Sequence, residues 1–126
     1  MRLCVHNHAK EVSNRAEELI AVAKGTDKGL VSFVVDVSFF LDVGLRPEKW
    51  VGRFAQRMEG IHLRDHRAGK EVVLGEGELN PEALASSLRK AGWAGWVILE
   101  LNKRKDKTSR QMIAEARRYM KQRMGV

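Results

Sequence analysis

The sequence predicts an α/β fold built from parallel βα units, and three observations carry that reading. Strand-like and helix-like patterns alternate strictly along the 126 residues. Four short apolar runs each carry a side chain able to bind a divalent metal: LCVH ends at His6, FVVD at Asp36, GIHL holds His62, and WVILE ends at Glu100. These four residues are 30, 26 and 38 positions apart, each gap about one strand–helix–strand repeat. Parallel sheets place ligands at the carboxyl ends of their strands. Four ligand-type side chains at four such ends converge on one point.

The elements follow in order. After the first strand, Ala16, Leu19, Ile20 and Ala23 recur at helical spacing, with Gly25 closing the helix. Leu30 to Asp36 is a valine-rich run, as a strand buried on both faces requires. Pro47 opens a second helix whose apolar stripe is Trp50, Val51, Phe54 and Met58. A short third strand spans Gly60 to Leu63, and a long loop runs from Asp65 to Leu79. Asn80 as N-cap and Pro81 at the first helical position start a third helix. Its inward residues are Leu84, Ala85 and Leu88, and Gly92 lies past its end. Trp96 to Leu101 forms the fourth strand, and Ser109 caps a last helix packing through Met112, Ile113, Ala116 and Met120. No linker or composition break interrupts residues 1–126, so one domain is expected.

Composition narrows the class. A hydrophobic content of 44% suffices for a core. One cysteine, Cys4, excludes an internal disulfide framework and fits a reducing cytoplasm; its apolar run predicts buried packing. No apolar stretch approaches the roughly 18 residues of a membrane span. The net charge of +7 is local: residues 1–102 balance 14 basic against 14 acidic side chains, and the excess lies in residues 103–126. Tyr119 is the lone aromatic residue in that basic stretch, too few for a base-stacking platform, so a solvated helix face is favoured over nucleic-acid binding.

Read together, VHNHAKEV (5–12), DVSFFLDVGLRPEKWV (36–51), RMEGIHLRDHRAGKEVVLGEGELNPEAL (57–84) and AGWAGWVILELN (91–102) resemble the sugar phosphate isomerase/epimerase family. These are the xylose isomerase-like TIM barrels, which also include endonuclease IV and inosose dehydratase. The pieces occur in the family's order and cover about 100 residues. The resemblance implies parallel (βα) units forming about half of a TIM barrel, the C-terminal half. Such a half is either truncated from a full barrel or completed by dimerisation, so a homo-oligomer is expected.

The resemblance also implies roles. His62 matches a metal-ligating histidine, the bland alternative being a satisfied core histidine. Glu100 sits where the family has its last carboxylate ligand, the alternative being an ion pair with Lys103 or Arg67. Asp36 ends a buried strand, where an unpartnered carboxylate is costly; metal ligation or loop anchoring both answer that cost. His6 is the fourth expected ligand, with His8 and Glu11 nearby as substrate-binding or acid/base groups. Phe39 is expected as an apolar wall of the substrate site, and Arg64 and Arg67 as holders of an oxyanion or phosphate. Glu76, between Gly75 and Gly77, reads as a turn residue. Mixed imidazole and carboxylate ligands suit Mn, Zn, Co or Fe better than Ca, and Mg also stands among the divalent metals expected.

The activity implied is metal-assisted proton transfer beside the carbonyl of a sugar or sugar phosphate, with Glu100 or Glu11 moving the proton. Two other readings stand beside it. One is a non-catalytic half-barrel module using its basic C-terminal helix; the other is an endonuclease IV-like phosphodiesterase. The latter ranks last, because a three-metal cluster needs more ligands than four histidines and this short chain offer.

Overall fold

The computed structural model describes every residue of the chain except Arg2. Four parallel strands form one sheet in the order β1 (Leu3–His6), β2 (Val31–Asp36), β3 (Met58–Leu63) and β6 (Trp96–Leu99). The connecting helices are α1 (Ala9–Gly25), α2 (Ser38–Asp42), α3 (Val51–Phe54) and α4 (Pro81–Lys90), and α5 (Ser109–Arg123) closes the chain. This is a partial barrel wall of βα units. Among the described residues, no helix is long and apolar enough to cross a membrane.

Alternation along the strands divides the sheet into two unlike faces. Phe33, Val35, Ile61 and Leu63 are fully buried and meet Val12, Leu19, Phe54, Leu84 and Leu88 in one core. Residues of the other parity are Cys4, Val34, Trp96 and Ile98, and among the described residues no helix covers them. Trp96 is 76% exposed and Ile98 37% exposed. Cys4 is accordingly exposed, against the expectation of burial, because its parity points it to the open face of an edge strand. Ile61 packs under the helices, whereas Val34 and Ile98 belong to the open face.

Several elements differ from the sequence expectation. The helix expected after Pro47 is broken into a 3-10 turn at Pro47–Lys49, the single turn α3, and a second 3-10 turn at Ala55–Arg57. Met58 belongs to β3, where it pairs with Phe33, so the sheet takes the residue that would have ended the stripe. Gly52 and the aromatic residues around it are weak helix formers, and tertiary packing prevails over them. The short helix α2 has no counterpart in the sequence expectation. The chain within α1 leaves helical geometry at Ser13–Ala16, with positive φ at Asn14, Arg15 and Ala16, and nothing in the packing explains the interruption.

The last helix is capped one residue earlier than expected. Thr108 Oγ1 accepts from the Gln111 N–H at 3.3 Å, and Gln111 Oε1 accepts from the Thr108 N–H at 2.9 Å. Its inward row runs through Met112, Ala116, Met120 and Met124 at a spacing of four, which leaves Ile113 exposed. The third helix matches its expectation: Asn80 Oδ1 accepts from the Ala83 N–H at 2.9 Å, and Leu84, Ala85 and Leu88 are buried.

The segment expected as a loop contains an antiparallel hairpin, β4 (Asp65–Arg67) with β5 (Lys70–Val72). Buried Asp65 organises the turn beyond this hairpin by accepting from the N–H groups of Gly75, Gly77 and Leu79, each at 3.0 Å. Gly77 must be glycine here, since a Cβ would lie 2.1 Å from Asp65 Oδ1. Glu76 is an exposed turn residue whose N–H donates to the Val73 carbonyl at 2.8 Å.

Candidate metal centre

Register explains why four distant residues meet. Asp36 and His62 are direct partners in the β2–β3 ladder, and His62 in turn pairs with Ile98 of β6. Glu100 lies two residues beyond Ile98 and so shares its face. His6 pairs with Val34, which shares the face of Asp36. All four therefore point to one side at the carboxyl end of the sheet, where one ligand atom from each lies within 4.8 Å of the others.

Their surroundings are polar but protected. Asp36 is fully buried. Its Oδ1 accepts from the Ser38 N–H at 2.9 Å and the Ser38 hydroxyl at 2.5 Å, while Oδ2 accepts from Arg64 Nη2 at 2.7 Å. That same Oδ2 lies 3.8 Å from His6 Nε2. The His6 and His62 rings are 4.7 Å apart at their centroids, and His62 Nδ1 lies against Glu100 Oε2. Asn7, also fully buried, clasps the Asp36 backbone: its amide donates to the Asp36 carbonyl at 3.1 Å and its oxygen accepts from the Asp36 N–H at 2.9 Å.

Arg64 is the hub of the charges. Beyond Asp36, its Nη1 lies 3.2 Å from Glu100 Oε1 and 3.7 Å from Glu71 Oε2. Its Nε donates to Ser38 Oγ at 3.0 Å, and the guanidinium sits 4.8 Å from the centre of the Phe39 ring. Glu71 is itself fixed by the Asn102 N–H and side-chain amide, both at 2.7 Å. Glu100 thus pairs with Arg64, not with Lys103 or Arg67.

The donor set fits a divalent cation on three counts. His6 Nε2 is a buried nitrogen that makes no hydrogen bond, and the buried His62 Nδ1 lies against the carboxylate of Glu100, a second member of the set. Burial first, and the neighbouring His62 second, hold the His6 imidazole below its usual range, which favours the neutral, metal-ready form. Three carboxylates (Asp36, Glu71, Glu100) against the one guanidinium of Arg64 leave two negative charges, the charge of one such ion.

The remaining expected site residues divide. His8 and Phe39 stand at the rim, the His8 ring 5.0 Å from His6 and 5.4 Å from Phe39. Glu11 is turned to the backbone: the His8 N–H donates to its Oε2 at 2.7 Å and holds its carboxyl below the usual range. Arg67 is exposed at the end of β4. A cavity of about 420 Å³ opens beside the hub, sharing Glu71 and walled by Leu74, Leu101, Asn102, Lys103 and Met112. Asn7, Ser38, Glu71 and Asn102 are site residues that the sequence does not single out. All four lie inside the family-like motifs quoted above, Asn7 in VHNHAKEV, Ser38 in 36–51, Glu71 in 57–84 and Asn102 in AGWAGWVILELN. The periodicity gives Glu71 no signal of its own, because its hairpin reads as loop.

Comparison with known proteins agrees with this fold. Residues 1–123 match the family model described as xylose isomerase-like TIM barrel. An inosose dehydratase from Geobacillus kaustophilus is 28% identical over 119 residues, covering 79% of this chain and 39% of the relative. A sugar phosphate isomerase/epimerase from Parabacteroides distasonis superposes with a TM-score of 0.76 at 20% identity, over 95% of this chain and 44% of that one. A xylose isomerase domain protein from Planctomyces limnophilus gives 0.73 at 18% identity, over 100% and 47%. The chain spans less than half the length of these relatives.

Proposed function

The chain belongs to the xylose isomerase-like TIM barrel family, and on that premise we propose that it carries the metal centre of a sugar isomerase, epimerase or related lyase. The observation that carries the proposal is the meeting of His6, Asp36, His62 and Glu100 within 4.8 Å, with the buried His6 Nε2 making no hydrogen bond. These four residues would hold one divalent ion, of Mn, Zn, Co, Fe or Mg type. Such an ion, when bound, supplies Lewis acidity to the carbonyl and hydroxyl oxygens of a sugar.

The chain's own groups supply the rest. Glu100 has the most exposed side chain of the four, at 42%, so its carboxylate is the one open to a substrate carbon. It would take the proton beside the carbonyl and return it. Glu11 stands second, because the His8 backbone already engages it. Phe39 offers an apolar wall and His8 a polar rim, and Arg67 would meet an anionic group approaching from the hairpin. Removal of a proton beside a carbonyl begins isomerisation, epimerisation and dehydration alike, so the reading spans all three outcomes. The substrate proposed is a free sugar or sugar phosphate.

Solvent exchange tests this step without requiring full turnover. Keto-sugars and their phosphates incubated in D2O with the Mn2+-loaded protein should take up deuterium beside the carbonyl, by NMR. Glu100→Gln should abolish the uptake. Absence of exchange across ketoses and their phosphates, with metal bound, would contradict the proton-transfer reading.

A further inference from the structure

Arg64 touches two of the four proposed ligands, and its position has a consequence for how the centre accepts an ion. The Asp36 oxygen that faces His6 is the one that accepts from Arg64 Nη2, at 2.7 Å. The Glu100 oxygen not held against His62 lies 3.2 Å from Nη1. The guanidinium is 13% exposed at its side chain and Asp36 is fully buried, so solvent screens this pairing poorly. From these contacts we infer that Arg64 is the internal counter-cation of the centre: it offsets part of the charge of Asp36 and Glu100 when no ion is bound and competes with the ion for them. The inference rests on the metal-centre reading and concerns the regulation of its affinity.

Two features make Arg64 suited to yielding those oxygens without leaving the site. Glu71, fixed by Asn102, gives the guanidinium a third carboxylate that is outside the ligand set. The Phe39 ring and Ser38 Oγ hold its other face. An arginine keeps its charge at any working pH, so the competition is not relieved by titration. Its effect is to lower affinity for the ion while sparing the metal-free chain a buried Asp36 carboxylate with no compensating charge.

Calorimetric titration of chelator-treated protein with Mn2+ tests this, using wild type, Arg64→Gln and Asp36→Ala. Arg64→Gln should bind Mn2+ about tenfold more tightly or better, as removal of a unit charge a few ångströms from a dication implies. Thermal melts should show Arg64→Gln less stable than wild type without metal, with saturating Mn2+ closing the gap. If metal-free Arg64→Gln does not fold, Mn2+ should fold it, because the ion supplies the missing charge; a variant that stays unfolded at saturating Mn2+ overturns the inference. Equal or weaker binding by a folded Arg64→Gln also overturns it, while wild-type binding lost in Asp36→Ala leaves the centre itself standing. No Mn2+ binding by either wild type or Arg64→Gln refutes the metal centre, and the inference with it.

Discussion

Asn7 grips both backbone groups of Asp36, the carbonyl at 3.1 Å and the N–H at 2.9 Å, although the two residues belong to different strand ends. The clasp fixes the last residue of β2 where parallel pairing with β1 has run out. Asn7→Ala should therefore cost about 1–3 kcal/mol by chemical denaturation, from buried groups left unpaired. It should also weaken Mn2+ binding, since Asp36 loses its backbone anchor. Stability and affinity both at wild-type levels would show that the clasp is incidental.

The His6 imidazole sets a pH dependence. Its pKa is lowered from 6.5 by burial, so below that value the unfolded chain takes up a proton that the folded chain refuses. Its share of stability is therefore present above about pH 6.5 and lost as pH falls below it. Denaturation midpoints from pH 8 to 5 should decline for wild type, and the decline should be shallower in His6→Gln. Identical slopes would show that the burial of His6 does not govern this dependence.

Asp65 accepts three N–H groups and so carries the turn from residue 73 to 79. Hydrogen bonds to a charged acceptor contribute about 1.5–3 kcal/mol each, with strong non-additivity. Asp65→Ala should lose about 3 kcal/mol or more and open this segment to limited proteolysis. A variant within about 1 kcal/mol of wild type, equally resistant to protease, would show that the turn holds itself.

The open face of the sheet predicts association. Trp96 is 76% exposed on a parallel sheet, a class whose strands are normally covered on both faces. The proposed homo-oligomer covers this face, with a two-fold pair bringing together eight strands. Light scattering at micromolar concentration should show a dimer or larger species, reduced by Trp96→Glu. A stable wild-type monomer would contradict the proposal.

The four-residue cluster is legible in the sequence because parity and strand-end position are written locally. His6, Asp36, His62 and Glu100 each close or punctuate an apolar run, and the parallel register then brings them together. The hairpin around Ala68 and Gly69 is not legible: strands of three residues, mostly polar, carry no usable alternation. Glu71 and its bond to Asn102, 31 positions away, are hidden for that reason. The pairing of Arg64 with Asp36, Glu71 and Glu100 is hidden as well, because sequence shows its charge and not its neighbours. The helix after Pro47 fails differently, since its final stripe residue, Met58, is claimed by the sheet.

Every functional step proposed for this chain depends on four strand-end side chains forming one divalent metal site. Metal analysis after gentle purification, followed by Mn2+ titration of wild type, Asp36→Ala and Glu100→Ala, tests that site most directly. The expected result is about one ion per chain in wild type, lost in both variants while their folds persist by circular dichroism. Metal content unchanged in both variants would contradict it.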